Sequence, residues 1–331
     1  MLRLPKFQFV APPTLGEAVR LRTEHLATSM YVAGGTDVYP KMKRRQFQPE
    51  VVIALGRVVP AEIANGSRGT QRNAHGLRIG AGATLTAVSA NATVRASYTA
   101  LAEAAALVST PQLRNMGTLG GNVCLDTRCN WYDQSLFWRT AEGFCMKTHA
   151  EVVCRVAPSS ATCLAVASAD TVPALIALGA SVHVVGPQGE RDVDLVECYR
   201  EDGIRYLTLA PGEVVTEVRL PPSDGWRSTY LKQRDRNSFD FPIAGVAAAV
   251  RWEGGVVTDA RVAITALGSR PVAVDATALR GTKLEDDAIA AVADAAHKAA
   301  RPMDNTSGTI SQRKRAARVF ADRALRALRH A

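Results

Sequence analysis

Five of the six cysteines of this chain fall within forty residues: Cys124, Cys129, Cys145, Cys154 and Cys163. Thiolates bind soft or borderline metals, and four of them are the usual complement of a structural zinc or of a [4Fe–4S] cluster. The last four are separated by 15, 8 and 8 residues. Zinc ribbons and fingers mostly bring their cysteines in closely spaced pairs that turn tightly around one small ion; no C-x2-C occurs here. Wide gaps suit a cubane, whose corner irons are spread further apart. A third reading is inert buried thiols, which behave as small hydrophobes. The polar residues between them, Arg128, Asn130, Asp133, Arg139 and Lys147, weigh against it. Spacing alone leaves iron–sulfur, zinc and inert thiols open. Cys198 stands apart and reads as structural.

Directly before the cysteines lies Thr118-Leu119-Gly120-Gly121-Asn122, and about 85 residues earlier lies Ala33-Gly34-Gly35-Thr36-Asp37. Paired glycines permit positive φ and close approach of backbone to a ligand, and exposed amides at a helix start attract phosphate. Thr118 and Asn122 add side-chain hydrogen-bonding groups. Two such turns could clamp one diphosphate between them. Neither is a P-loop or the G-x-G-x-x-G of a dinucleotide fold. His25, His75, His149, His183 and His297 are scattered, and neither H-E-x-x-H nor G-x-S-x-G occurs, so no self-contained hydrolase site is visible.

These residues need elements to position them. Met30–Ala33 reads as a strand ending at the first glycine pair, with Thr36 or Asp37 able to cap a following helix and Pro40 in its first turn. Val51–Ala54, Leu77–Ala83 and Ser181–Val185 read as strands, Tyr98–Val108 and Thr171–Leu178 as helices. Residues 123–164 show little periodicity and look like an excursion held by something other than a core of their own. After Ser223-Asp224-Gly225 the pattern changes. Tyr230–Arg234 is strand-like, Pro242–Trp252 and Val256–Leu267 form a hairpin at Gly254-Gly255, and Asp286–Ala300 is an amphipathic helix. Without a regular βαβ rhythm the class is α+β, divided into 1–222 and 223–331.

The chain has 331 residues, 47% of them apolar, and a net charge of +9, which is ordinary for a globular protein with two or three cores. No apolar run reaches the roughly 18–20 residues that span a bilayer, and the N-terminus lacks the apolar stretch of a signal peptide. The expected setting is the cytoplasm, where thiols stay reduced and clustered cysteines serve better as ligands than as disulfides. Residues 311–331 alone supply +6. Ala317, Phe320, Ala324 and Leu328 recur there at helical steps, so the tail reads as a helix with a solvated basic face, against a nucleic-acid or membrane-surface patch as the functional reading. A zinc-stabilised nucleic-acid-binding protein is the competing reading of a different class, but no aromatic residues interleave with the arginines as base stacking requires.

Three stretches taken in order, Ala33–Asp37, Thr118–Asn122 and Ser168-Ala169-Asp170-Thr171-Val172-Pro173-Ala174-Leu175, resemble the FAD-binding medium subunit of the molybdenum hydroxylases, the xanthine dehydrogenase and carbon monoxide dehydrogenase group. Tyr230-Leu231-Lys232-Gln233-Arg234 and the basic tail match too. The resemblance implies a two-part PCMH/VAO-type FAD-binding domain, roughly 1–57 and 58–222, followed by a CO-dehydrogenase-flavoprotein-type α+β domain. It implies that Val32, Ala33, Gly34, Gly35, Thr36 and Asp37, with Thr118, Gly120, Gly121 and Asn122, hold the FAD diphosphate and ribityl chain. Val108 would lie against the cofactor, Asp170 would hydrogen-bond the polar part of the flavin, and Lys232, with backbone near Val215, would approach its ring. Most family members lack the cysteine insert at 123–164. The insert is similar to that of the β subunit of 4-hydroxybenzoyl-CoA reductase, which implies a [4Fe–4S] cluster on Cys129, Cys145, Cys154 and Cys163, with Cys124 surplus. The same resemblance implies a large molybdenum-cofactor subunit and a small [2Fe–2S] subunit as partners in a dimer of heterotrimers. A low-potential carrier such as ferredoxin would exchange electrons at the insert. Neither nucleic acid nor membrane insertion is implied.

Overall fold

The computed structural model describes residues 2–66 and 76–329; His75 and the last two residues of the basic tail lie outside them. Three sheets organise these residues. The first is parallel, with Val51–Ala54 between Gln8–Val10 and Ser29–Val32. Its central strand is an unbroken apolar run because both faces are covered, and Val52 and Ile53 are fully buried. The second is antiparallel, in the order Ile63–Asn65, Leu77–Gly80, Val214–Leu220, Ser181–Gly186, Gly189–Asp194. The third runs Val272–Val274, Val256–Thr265, Ala244–Glu253, Trp226–Gln233. Its hairpin turns at Gly254 and Gly255, whose φ values of 60° and 80° are the positive pair that a tight hairpin requires.

The strand Ala244–Glu253 shows how the third sheet joins the rest. Ala244, Val246, Ala248 and Val250 face the helices Asp286–Ala299 and Ile310–Arg329, while Ala247 and Ala249 face the other way with Tyr230. On that second side lie alanines of the helices Thr99–Leu107 and Thr171–Ala177. Alternation at a period of two sorts the residues, and the small side chains let strand and helix backbones approach closely. The strand Trp226–Gln233 is thereby held against the N-terminal part of the chain.

The basic tail is the helix Ile310–Arg329, and its apolar stripe buries Ala317, Ala321, Ala324, Leu325 and Leu328. Arg313 is fully buried and donates to the carbonyls of Met303, Ala266 and Ile243; burial pushes its guanidinium down to about 10. Arg318 pairs with Asp294, and Arg326 and Arg329 pair with Asp286. Much of the tail's charge is therefore paired within the chain, mostly at its surface. Among the described residues no helix is long and apolar enough to cross a membrane.

The cysteine excursion is pinched at its base by an antiparallel bridge, Arg128 to Val166. Between these ends the only helix among the described residues is Leu136–Glu142, of 7 residues. Irregular segments this long are uncommon in compact domains unless they carry function.

Candidate functional site

A cavity of about 890 Å³ opens where the first two sheets, the second glycine segment and the loop after Gln233 meet. Ala33, Gly34, Gly35, Thr36, Asp37, Val108, Thr118, Gly120, Gly121, Asn122, Asp170 and Val215 all line it. Val32 and Lys232 do not. Val32 packs with Met42 and Val52 behind the wall, because strand alternation turns Tyr31 and Ala33 toward the cavity and Val32 away from it.

The first glycine segment touches the residues that lead into the second. A Cβ on Gly34 would overlap the Met116 carbonyl, and Gly35 takes φ 70°. The stretch Thr118–Asn122 is not a turn but the start of the short helix Leu119–Val123, capped by Thr118 Oγ1, which accepts from the Gly121 N–H at 3.1 Å. Gly120 serves packing: a Cβ there would lie 2.6 Å from that of Ala81. Asp37 precedes the helix Val38–Lys43 but does not cap it; its carboxylate pairs with Arg128 instead. Asn122 Oδ1 accepts from the backbone and hydroxyl of Thr171, at 3.2 and 2.6 Å, and so ties the second segment to the helix that Asp170 precedes.

Asp170 is buried at the cavity wall. Its Oδ1 accepts from the Tyr230 hydroxyl at 2.8 Å and its Oδ2 from the Lys232 ammonium at 2.9 Å. Lys232 also donates to the Leu107 carbonyl at 3.0 Å, next to cavity-lining Val108. Burial pushes the Asp170 carboxyl up against the pull of Lys232, and pushes Lys232 down against the pull of Asp170. Lys232 thus stands one layer behind the cavity, as a brace between Asp170 and the end of the helix Thr99–Leu107.

Several cavity residues carry no signal in linear sequence. The Arg128 guanidinium sits 3.6 Å from the centre of the Phe241 ring and pairs with Asp37. Phe239, at φ 74°, donates its N–H to the carbonyl of Ser109, itself at φ 45°, so the loop that carries Phe239 and Phe241 is latched across the opening. The one hint was the position of Arg128 beside Cys129. Ser168 Oγ and Arg128 Nε are buried and lack a hydrogen-bond partner among the described residues, and both residues line the cavity. Buried polar groups are rarely left so. A polar ligand with phosphate and hydroxyl oxygens, as FAD has, fits this wall.

Cys129, Cys145, Cys154 and Cys163 are buried and free of disulfides. They stand within each other's fields: Cys145 and Cys163 act on Cys129, and Cys154 and Cys145 act on Cys163. Burial pushes the Cys129 thiol to about 12 and Cys163 to about 11. Among the described residues no three His, Cys, Asp or Glu side chains converge to grip a single ion, as a zinc site would require. The four buried thiols of the insert are the donor set that a [4Fe–4S] cluster uses. Cys124 lines the cavity instead, and the thiol whose field reaches it is Cys198.

Two family profiles match the chain. Residues 5–223 match the FAD binding domain in molybdopterin dehydrogenase, and residues 229–328 match the CO dehydrogenase flavoprotein C-terminal domain. Among similar proteins, the carbon monoxide dehydrogenase medium chain of Hydrogenophaga pseudoflava is 29% identical, over 98% of this chain and 97% of its own length. The aldehyde oxidoreductase FAD-binding subunit PaoB of Escherichia coli is 30% identical, over 91% of this chain and 93% of its own. Among solved structures, carbon monoxide dehydrogenase from H. pseudoflava superposes with a TM-score of 0.78 at 27% identity, covering 98% of each chain. Profiles, relatives and fold agree along nearly the whole length, and the chain belongs to the family of FAD-binding oxidoreductase subunits of the molybdenum hydroxylases.

Proposed function

We propose that this chain is the FAD- and [4Fe–4S]-carrying electron-transfer subunit of a molybdenum-cofactor oxidoreductase. The observation that carries the reading is the set of four buried thiols, the first of which, Cys129, lies three residues along the chain from the cavity wall at Asp126. Bound FAD supplies electron exchange, and the protein's part is to bind, orient and shield it. Here the glycine segments allow close approach, Asn122 and Asp170 fix the wall, and the loop with Phe239 and Phe241 covers the opening. A cluster on Cys129, Cys145, Cys154 and Cys163 would give the flavin a second one-electron neighbour toward the surface of the insert. Partner subunits would hold the molybdenum cofactor and the [2Fe–2S] centres, as the medium-chain names of the relatives support. The domains would divide near residue 223, with the FAD-binding part before it.

Substrate choice belongs to the molybdenum subunit. The insert favours an enzyme like 4-hydroxybenzoyl-CoA reductase, which removes a hydroxyl reductively from an aromatic CoA thioester. A second reading, a flavin subunit serving an oxidative hydroxylase or dehydrogenase, is favoured by the carbon monoxide, aldehyde and nicotinate names among the relatives. Assay of the co-purified complex with each substrate class separates the two.

Two cysteine variants test the ligand set. Cys145→Ser is expected to lose most of its iron and acid-labile sulfide while keeping FAD, and Cys124→Ser is expected to keep both. Full iron in Cys145→Ser, or its loss in Cys124→Ser, contradicts the assignment.

A further inference from the structure

Between the cavity and the cysteines the fold buries more positive than negative charge. The side chains of Lys41 and Lys147 are 1% and 6% exposed, and both end on one carboxylate, Asp126, itself 9% exposed. Lys41 Nζ meets Oδ2 and Lys147 Nζ meets Oδ1 at 2.8 Å, while the Tyr132 hydroxyl donates to Oδ2 at 3.2 Å. Both ammonium groups lie over the Tyr132 ring, at 4.8 and 4.9 Å. Lys147 donates further to Thr127 Oγ1 and to the Gly203 carbonyl. A Cβ on Gly203 would stand 2.8 Å from the Cys163 sulfur, so this cation adjoins the thiols.

Lys41, Lys147 and Arg128 meet Asp126, Asp37 and Asp133, three against three, and the buried Arg139 is a cation beyond that balance. Arg128 answers Asp37 and Asp133, and Asp37 stands 3.9 Å from Lys41. Arg139 and Arg155 end on carbonyl oxygens and not on carboxylates. Burying a cation without its counter-charge is strongly unfavourable. The missing negative charge is at hand if the four thiols are ligated as thiolates, because a cubane on four thiolates is an anion whose charge grows by one on reduction.

We infer that Lys147, clamped with Lys41 on Asp126, is a positioning residue that supplies the counter-charge for an anionic cluster and raises its reduction potential. The inference rests on the proposed [4Fe–4S] reading. It also accounts for two lysines sharing one carboxylate, an arrangement that packing alone does not explain. Asp126 lines the cavity as well, so the same carboxylate stands between the two cofactor sites.

The test is an anaerobic redox titration of the full chain, followed by electron paramagnetic resonance, with iron counted in each sample. Lys147→Gln removes one positive charge and is expected to make cluster reduction at least about tenfold less favourable, a shift of about 59 mV to lower potential. Lys147→Arg keeps the charge and is expected to stay within a few-fold of the unmodified chain. Asp126→Asn removes one negative charge beside both ammonium groups and is expected to shift the potential upward. Opposite signs from two neighbouring substitutions are not what a merely structural role produces. Wild-type potential in Lys147→Gln at full iron content, or shifts of the same sign in the two charge-changing variants, overturns the inference. If Lys147→Gln fails to hold iron, Asp126→Asn decides: an unmoved or lowered potential overturns it. An unmodified chain that binds FAD but no iron overturns the cluster reading itself, a result distinct from wrong signs at full iron.

Discussion

Gly34→Ala is expected to strip the chain of FAD and to cost several kcal/mol of stability, near the upper end of what a single substitution does. The new methyl group would overlap the carbonyl oxygen of Met116. Its neighbours there are backbone atoms of Met116 and Gly117, so no side chain can swing aside. The first glycine segment and the residues that lead into the second would have to part, and the cavity wall would open with them. Gly16→Ala is the control. Gly16 lies exposed in the helix Leu15–Glu24 with nothing near its Cβ position. There alanine is expected to be neutral or to stabilise by up to about 1 kcal/mol. Flavin-to-protein absorbance and urea midpoints of both variants read the contrast; a Gly34→Ala protein with full flavin and an unchanged midpoint would overturn the close-approach argument.

The second large effect belongs to the Asp170–Lys232 pair. Both side chains are almost fully buried, so removing either partner strands the other and is expected to cost about 3–5 kcal/mol. The two halves differ in their response to pH. In Lys232→Met the carboxyl of Asp170 loses the partner that pulled it down, and burial raises it further. The folded state then holds a proton that the unfolded state releases, so stability falls as pH rises from about 4 toward the raised folded value. In Asp170→Asn the buried ammonium of Lys232 is pushed down further. The unfolded state then binds the proton that the folded state lacks, so stability rises with pH from the lowered folded value up to about 10.4. Each slope approaches about 1.4 kcal/mol per pH unit within its window. Denaturant unfolding across pH reads both slopes, and equal signs in the two variants contradict the buried-pair account. Asp170→Asn is also expected to weaken FAD retention, because Asp170 lines the cavity.

The legible parts of the sequence were those whose signal is local. Val51–Ala54 is a strand as its apolar run dictates, and Gly254-Gly255 turns a hairpin as paired glycines between strands should. The apolar stripe of the tail is buried as its helical spacing requires. The short strands Gln8–Val10, Ile63–Asn65 and Val272–Val274 escaped, because three residues carry no period and exist only through their partners. Gly189–Asp194 carries one apolar residue, Val193, and lies at a sheet edge, so it has no apolar alternation to show. Trp226–Gln233 begins earlier than its apolar core at Tyr230, since pairing with Ala244–Glu253 carries the polar residues along.

In the site, the glycine segments are readable because their backbone demands are written in residue type, whereas Asp170 enters only through the family resemblance. Thr118–Asn122 reads as a turn because paired glycines signal conformational freedom, whereas Gly120 is needed for its lack of a side chain against Ala81. Arg128, Phe239 and Phe241 meet Asp37 and Ser109 only through closure of the chain over about a hundred residues. No spacing rule reports such contacts. The Lys41–Asp126–Lys147 group is of the same kind, formed by a lysine in the first helix after the glycine turn and another inside the insert.

The central claim is that one chain carries a flavin and, beside it, an iron–sulfur cluster on the insert. The most direct measurement is flavin, iron and acid-labile sulfide per chain in the full-length protein, produced without partner subunits and purified without oxygen. One FAD with about four iron and four sulfide is the predicted result. Zinc without flavin absorbance, or flavin with neither iron nor sulfide, would contradict it.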